Sequence, residues 1–296
     1  MPDPNEVRSI APELKTSEWR GLLLVCLNQL RIALRYQNKF RFELTAHVLM
    51  FLPIALAGWA FAGGRESSRL NELAGIPDQF LFVTLGFVAF TALGIGNMMS
   101  QDTHVAGGIS FEMITGTLER LFLTPLRRLS VIMGIASYFV VLFIFQSVTL
   151  FVGAWVIYGF ELSVTLAEIP LLIWSAICLL VMNVAFGLIG VSITLVTKDF
   201  QTYLLFIHRP AALLSGAYFL IDLVPEPFKF LSLINPIAHG VDTFRGAITG
   251  HPLLSSDMAT STAVTTGLTA VVVVIAVYSY RYLFRKMERQ GNLSLH

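Results

Sequence analysis

The stretch GTLERLFLTPLRR, residues 116–128, decides the fold of this 296-residue chain, because it places a short charged segment between two long apolar runs. Pro125 cannot continue a helix, so a helix that forms here ends after about two turns. A helix this short is not stable alone and needs a surface to pack against. The stretch therefore predicts a small amphipathic helix that projects between two membrane-crossing segments, with Thr117 as its cap.

The composition of the chain is that of a membrane protein. Apolar residues make up 55% and charged residues 13%, and the mean hydropathy is +0.71. Soluble domains carry about 25% charged residues. The net charge of +1 provides no basic stripe for phosphates, which excludes a nucleic-acid partner. Cys26 and Cys178 have no metal-ligand spacing, and we interpret both as small buried apolar residues.

Six apolar stretches approach or exceed the roughly 20 residues that a helix needs to cross a bilayer. Backbone groups in lipid must bond internally, and the alternation of barrel strands is absent, so the spans are predicted to be helices. They lie at Leu44–Gly63, Phe80–Met99, Val131–Tyr158, Pro170–Val196, Tyr203–Ile221 and Thr262–Leu283. The sequence thus predicts an all-α polytopic membrane protein, with a six-span domain over residues 43–284 and tails at 1–17 and 285–296.

The distribution of Lys and Arg predicts the orientation. An even number of spans puts both ends on one side, and with both ends inside, 15 of the 20 Lys and Arg lie on the inner side. The outer loops hold Arg65, Arg69, Lys229 and Arg245. By the positive-inside rule, both termini and residues 116–128 are cytoplasmic, in an inner or plasma membrane. The first residues lack the apolar core of a cleavable signal peptide, so we expect insertion to depend on the spans.

The segment before the first span, residues 18–42, predicts a helix that lies on the membrane. Its leucines recur at helical spacing, with polar residues about a quarter turn away. The stripe consists of Leu23, Leu27, Leu30 and Leu34. This pattern is typical of an amphipathic helix in the interface of the inner leaflet. The alternative is an ordinary soluble helix that packs on a partner.

A second segment that is too short to span lies between the fifth and sixth spans. Phe228–Gly250 contains two apolar pieces that are interrupted at Asn235 and Pro236. Proline cannot continue a helix and restricts the residue before it. We expect two short re-entrant helices in the outer leaflet, with Asp242 and Arg245 spaced to pair. The alternative is a plain surface loop.

Two motifs resemble one family of transporters. GTLERLFLTPLRRLSVIMG, residues 116–134, is similar to the segment after the second span in permease subunits of ATP-binding-cassette exporters with type-2 membrane domains. LLSGAYFLIDLVPEPFKFLSLINPIAHGVDTFRGAITG, residues 213–250, resembles their second signature, with an SG pair, a proline, an NP turn and a D-x-x-R. The resemblance is strongest to exporters of daunorubicin-type drugs and of nodulation factors, and looser to polysaccharide exporters.

The resemblance implies a separate motor. A cytoplasmic ATPase in two copies would receive the helix after Gly116 and a loop between spans four and five. The residues in this contact would be Thr117, Leu118, Glu119, Leu121, Phe122, Lys198 and Asp199. The chain contains no G-x-x-x-x-G-K-[ST] phosphate loop, so no cofactor is expected in it, and ATP and Mg are expected on the partner. The resemblance also implies a second permease copy or a paralogue, with membrane lipids around the pair.

Several side chains in the spans are candidates for the path of an amphipathic or lipid-linked substrate, because polar groups in a membrane are costly. They are Gln146, Thr149, Phe143, Phe206, His208 and Arg209. Each has an ordinary alternative. Gln146 and Thr149 would bond across helices, His208 and Arg209 would snorkel to the cytoplasmic interface, and phenylalanines would face lipid.

The alternative function is a membrane-embedded transferase that acts on lipid-linked substrates. Asp102 and His104 are its best candidates, but no nucleophile or metal-ligand spacing accompanies them. A secondary transporter would show an internal repeat, which the sequence lacks. The favoured prediction is a permease of an ATP-driven exporter, with no catalytic residue and no metal site of its own.

Overall fold

The computed structural model describes residues 18–62, 66, 68, 71–72, 76, 78–100, 108–124, 126–159, 166, 168–197, 199, 204–217, 221, 225–250 and 252–289. Within these ranges the secondary structure is helical apart from turns and one isolated bridge between Glu66 and Asp78. The predicted all-α class is confirmed.

The helices follow one another along the chain in a simple order. They are α1 (Glu18–Arg35), α2 (Gln37–Ala62), α3 (Gln79–Ser100), α4 (Ile109–Ile114), α5 (Thr117–Phe122), α6 (Arg128–Tyr158), α7 (Ile169–Thr197), α8 (Arg209–Leu213), α9 (Glu226–Ile234), α10 (Pro236–Thr249) and α11 (Met258–Arg289). A π-helical turn, Leu204–His208, leads directly into α8.

Among the residues that the structure describes, three helices are long and apolar enough to cross a membrane. These segments are Arg128–Tyr158, Ile169–Thr197 and Met258–Lys286. They contain the predicted third, fourth and sixth spans, so the chain is a multi-pass membrane protein by helix length and composition. The first two predicted spans lie in α2 and α3, apart from Gly63, which is outside the described residues.

The predicted fifth span, Tyr203–Ile221, is not one continuous helix in the described residues, which corrects that prediction. The helix ends at Leu213, and turns follow, with Gly216 at φ 72°. The guanidinium of Arg245 donates hydrogen bonds to the carbonyl oxygens of Gly216 and Ala217. The chain leaves the helix here because glycine adopts this backbone geometry readily and a distant side chain satisfies its carbonyls.

The helix α1 packs along α6 and ends at Arg35, and one residue, Tyr36, separates it from α2. Its buried positions include Gly21, Gln29 and Ala33. In the predicted stripe, Leu23, Leu27 and Leu34 are exposed, and Leu30 is half-buried. The apolar stripe thus faces largely away from the protein, as an interfacial helix would require.

The buried side chains form two hydrophobic clusters. The larger cluster joins α6, α7, α10 and α11, and it also includes residues of α1 and α5. The smaller one joins α2, α3 and the last third of α6, around Phe51, Phe87 and Leu150. Gln146 lies on α6 between the two clusters, one turn before Leu150.

The helix α10 is inserted between the long helices rather than lying over them. It packs against α7, α11 and α3, and ten of its fourteen residues are buried. The Thr243 hydroxyl bonds the hydroxyls of Ser261 (2.8 Å) and Thr265 (2.7 Å) on α11.

The residue before α11, Asp257, accepts hydrogen bonds from nearby side chains. The bonds from Thr260, and to a lesser extent the bond from Ser256, lower the pKa of the Asp257 carboxyl.

Candidate coupling site

The turn that precedes α5 brings it back over the end of α4. Gly116 has φ 67°, a left-handed conformation that commonly ends a helix. Thr117 is therefore the first residue of α5 rather than its cap. Its hydroxyl donates to the Glu112 carbonyl oxygen at 3.2 Å and also to the Glu112 carboxylate. The expected capping role of Thr117 is corrected, because the hydroxyl is turned toward the preceding helix.

The Glu112 carboxylate joins three helices. Gln29 Nε2 on α1 donates to Glu112 Oε1 at 3.1 Å, while Thr117 on α5 donates to the other oxygen. Both Gln29 and Glu112 are buried. A buried hydrogen bond to a carboxylate is among the stronger kinds, and its loss leaves polar groups unsatisfied. This carboxylate therefore connects α5 to α1.

The apolar face of α5 is attached to the protein's own spans. Leu118 is buried in the larger cluster, and Leu121 is half-buried. The ring of Phe122 meets the ring of Phe284 on α11 edge to face, with centroids 5.9 Å apart. The Arg128 guanidinium at the start of α6 lies over the Phe284 ring, 4.9 Å from its centroid. Leu118 and Phe122 thus anchor α5, and a partner would have to contact another side of it.

The outward side of this segment is formed by residues around the end of α5. Leu123 is 85% exposed, and Arg120 is also exposed. The Thr124 hydroxyl donates to the Leu121 carbonyl, which closes the last turn. The Glu119 side chain lies outside the described residues. Leu123 and Arg120 are therefore accessible to a partner.

The second predicted contact lies after α7. Asp199 is exposed, and its carbonyl oxygen accepts a hydrogen bond of 3.0 Å from the Thr197 hydroxyl at the end of α7. Lys198 lies outside the described residues. The structure thus describes one of the two residues predicted for this loop.

The predicted path residues differ in their burial. Gln146, Phe143 and His208 are buried, Thr149 is half-buried, and Phe206 and Arg209 are exposed. Neither amide atom of Gln146 has a hydrogen-bond partner among the described residues. The role of these side chains in a path stays a prediction.

The predicted break at Asn235 and Pro236 separates α9 from α10. Asn235 Oδ1 accepts a hydrogen bond from the Ile237 amide at 3.2 Å, so it caps α10, and proline occupies the first helical position. Asn235 Nδ2 donates to the Ala211 carbonyl on α8 at 2.7 Å. The break thus also ties the outer helices to the interrupted fifth segment.

The expected pair between Asp242 and Arg245 is not formed, although both residues are described. The Asp242 carboxylate accepts from the backbone amides of Leu253 (2.7 Å) and Leu254 (3.0 Å). It therefore holds the loop that follows α10. The two residues are three positions apart on α10, but each side chain bonds backbone groups of another segment. The Asp242 carboxylate accepts from two amides, and the Arg245 guanidinium donates to two carbonyl oxygens.

Arg245 holds the interrupted segment against α3. It is 4% exposed and donates to the carbonyl oxygens of Gly216 (2.6 Å) and Ala217 (2.8 Å). Its guanidinium carbon lies 3.9 Å from the centroid of the Phe82 ring on α3. A Cβ at Gly86, one turn further along α3, would lie 1.8 Å from the Ala217 oxygen. Only glycine therefore admits this contact.

Several of these residues were not predicted from the sequence. Gln29 and Glu112 had a weak signal, since each is a polar residue in a short apolar segment. Gly86 carried no signal that separates it from other glycines in the spans. Asp102 and His104 lie outside the described residues. Among the residues that the structure describes, no group of three or more His, Cys, Asp or Glu could hold a metal ion.

Comparison with known proteins gives one family. The family described as ABC-2 type transporter matches residues 22–249, which is most of the chain. No curated protein matches the chain significantly. Members of this family are transport components that generally work with a cytoplasmic ABC ATPase and are not themselves catalytic. The chain therefore belongs to the ABC-2 type transporter family and is a multi-pass membrane permease component of an ABC transporter.

Proposed function

We propose that this chain forms the translocation path of an ATP-driven exporter for an amphipathic or lipid-linked molecule. The candidate cargoes are a drug-like amphiphile, a glycolipid or a lipid-linked saccharide. Two copies of a cytoplasmic ATPase carry ATP and Mg, and a second permease copy or a paralogue completes the path. Both termini and α5 lie on the cytoplasmic side, in the inner or plasma membrane, as the distribution of Lys and Arg indicates.

One observation carries this proposal, namely the attachment of α5 on one side only. Glu112 joins α5 to α1, and Phe122 packs on Phe284 of α11. Leu123, at the end of α5, is exposed. A helix that is fixed to the spans by one face and presents an apolar residue at its end is suited to receive force from a partner.

The ATPase contact also includes the loop at Lys198 and Asp199, as the family resemblance implies. Glu119 is also part of this proposed contact. This residue lies in the first turn of α5, where the helix dipole favours a negative charge. The outer helices α9 and α10 form the region near Asn235, Pro236, Asp242 and Arg245 that limits the path at the opposite side. Exposed apolar residues of α9, such as Phe228 and Phe230, give this region a surface for lipid.

The test replaces the exposed leucine by a charge. We expect Leu123→Asp to lose most of the ATPase that co-purifies with the permease, because a carboxylate in an apolar contact must be desolvated without a partner. Leu166→Asp is the matched control, since Leu166 is 86% exposed and lies between the third and fourth spans. Equal co-purification of the ATPase with both variants, and equal ATP hydrolysis, would refute the proposed contact.

A further inference from the structure

An apolar groove lies between α6, α7 and α11. Its volume is about 490 Å³, and all the side chains that line it are apolar. They include Leu129, Met133 and Val140 on α6, Leu188 on α7, and Val273 and Val277 on α11. Ile177 and Val181, which also line it, are partly exposed, so the groove is open to the surroundings of the spans.

One end of the groove is basic. On α11 the lining residues Val273 and Val277 are four residues apart. Arg281 follows four residues later, so it lies on the same side of the helix, and it is exposed. On α6 the lining begins at Leu129, directly after Arg128. The Arg128 guanidinium lies 4.9 Å from the centroid of the Phe284 ring, and Phe284 is within one turn of Arg281 on α11. The two arginines therefore belong to the same end of the groove.

The length of the groove matches one leaflet. From Leu129 to Val140 α6 rises about 17 Å at 1.5 Å per residue, and half of a hydrocarbon core is about 15 Å thick. The all-apolar lining over this length is suited to a single hydrocarbon chain.

We propose that this groove binds one acyl chain of an anionic phospholipid, whose phosphate lies beside Arg281 and Arg128. Guanidinium groups pair with phosphate oxygens in two parallel hydrogen bonds. A zwitterionic phosphatidylcholine presents the same oxygens but adds a choline cation that the arginines repel, so the basic end of the groove favours a lipid with a net negative charge. The bound lipid would contact both the start of α6 and the end of α11. These are the two helices that hold Phe122 of α5 through Arg128 and Phe284.

The test measures lipid binding to the full-length protein in detergent by native mass spectrometry, with phosphatidylglycerol and phosphatidylcholine as probes. We expect Val277→Trp, which fills the groove, to abolish the preference for phosphatidylglycerol. Ile275→Trp is its control, because two residues along a helix put Ile275 on the opposite side, where it is 50% exposed.

The charged end is tested at the surface, where substitution does not disturb the fold. We expect Arg281→Gln to weaken phosphatidylglycerol binding about fivefold, the factor that one Lys or Arg contributes near an anionic surface, and Arg281→Lys to restore most of it. Lys286→Gln, on another side of α11, should leave binding unchanged. Three results would each overturn the proposal. They are equal binding of the two lipids, an unchanged lipid preference in the Val277→Trp variant, and a Val277→Trp variant that is a monomer where the parent protein is a dimer. The last result would assign the groove to a second copy.

Discussion

Gln29 Nε2 donates a hydrogen bond to Glu112 Oε1 at 3.1 Å, across 83 residues of the chain. The bond joins α1, which runs along α6, to the short helix that immediately precedes α5. Because Thr117 donates to the same carboxylate, one buried group fixes the position of α5 relative to α1. Two functions that the sequence assigned separately, a helix at the membrane interface and a helix for coupling, are thus connected through Glu112.

The first prediction concerns this connection. Glu112→Ala leaves Gln29 Nε2 without its partner and leaves the Thr117 hydroxyl only its bond to the backbone carbonyl of residue 112, so we expect a loss of about 1 to 3 kcal/mol in the free energy of unfolding. The variant should retain the ATPase, because Leu123 is untouched, but stimulation of ATP hydrolysis by the cargo should fall. Thermal unfolding and ATPase assays of the purified complex measure both effects.

A double-mutant cycle separates this bond from general damage. We expect Glu112→Leu with Gln29→Leu to be more stable than the sum of the single variants implies, with an interaction energy of about 0.5 to 3 kcal/mol. Gln37→Leu is the control, since Gln37 is exposed at the start of α2. Strict additivity of the two single changes would contradict a direct bond.

The second prediction concerns the contact of α3 with the interrupted fifth segment. A Cβ at Gly86 would meet the Ala217 oxygen at 1.8 Å and Arg245 Nη2 at 2.2 Å. We therefore expect Gly86→Ala to lower the free energy of unfolding by at least about 1 to 3 kcal/mol, the usual range for overpacking. Melting temperatures in detergent measure the effect.

The control for this change is a glycine with open surroundings. A Cβ at Gly267 on α11 would meet nothing within 4 Å. Alanine is favoured over glycine in a helix interior by up to about 1 kcal/mol, so Gly267→Ala should be neutral or stabilising. If the two substitutions shifted the melting temperature alike, the close approach at Gly86 would not exist.

The third prediction concerns Arg245. Arg245→Met preserves much of the volume but leaves the carbonyl oxygens of Gly216 and Ala217 without donors. We expect a loss of about 2 kcal/mol or more, in line with hydrogen bonds to charged groups. Arg245→Lys should recover only part of it, since an ammonium cannot reach two carbonyls with the geometry of a planar guanidinium.

The exposed Arg285 provides the matched control, because Arg285→Met removes the same charge from the end of α11 without a buried partner. Thermal unfolding of the three variants in one detergent gives the comparison. A fully stable Arg245→Met variant would show that the turn at Gly216 holds its shape without the guanidinium.

The sequence predicted those features that depend on neighbouring residues. The break before α10 follows from proline and from an asparagine side chain that caps the next helix, and both effects are local. The interruption after Leu213 was missed because hydropathy counts Gly216 and Ala217 as ordinary members of an apolar run. Their carbonyl oxygens accept hydrogen bonds from Arg245, which lies 29 residues after Gly216 and 28 residues after Ala217. No rule of sequence spacing predicts a contact over that separation.

The coupling site was predicted in part for the same reason. The helical spacing of Leu118 and Phe122 correctly indicated an apolar face on α5. Which side of α5 stays outside depends on Phe284, far along the chain, so Leu123 could not be selected over Leu121 in advance. Glu112 was overlooked because a carboxylate beside a predicted membrane surface is ordinarily solvated, and its burial requires α1.

The last prediction concerns Gln146, which has 1% of its surface exposed and, within the part of the chain that the structure describes, no hydrogen-bond partner at either amide atom. An unsatisfied buried amide costs about 1 to 3 kcal/mol, so Gln146→Leu should raise the melting temperature. Polar groups retained in a span at such a cost are functional hypotheses by default. We therefore expect the same variant to lose cargo-stimulated ATP hydrolysis.

Asn183 provides the comparison for Gln146, since it is equally buried in α7 but its Nδ2 donates to the Leu179 carbonyl at 2.7 Å. Asn183→Leu removes a formed hydrogen bond and should gain less stability than Gln146→Leu. A stabilised Gln146→Leu permease with undiminished cargo stimulation would place Gln146 in the packing between the two hydrophobic clusters and exclude it from the path. Opposite effects on stability and on stimulation would instead indicate that the amide is kept for a ligand, because packing alone favours leucine at that position.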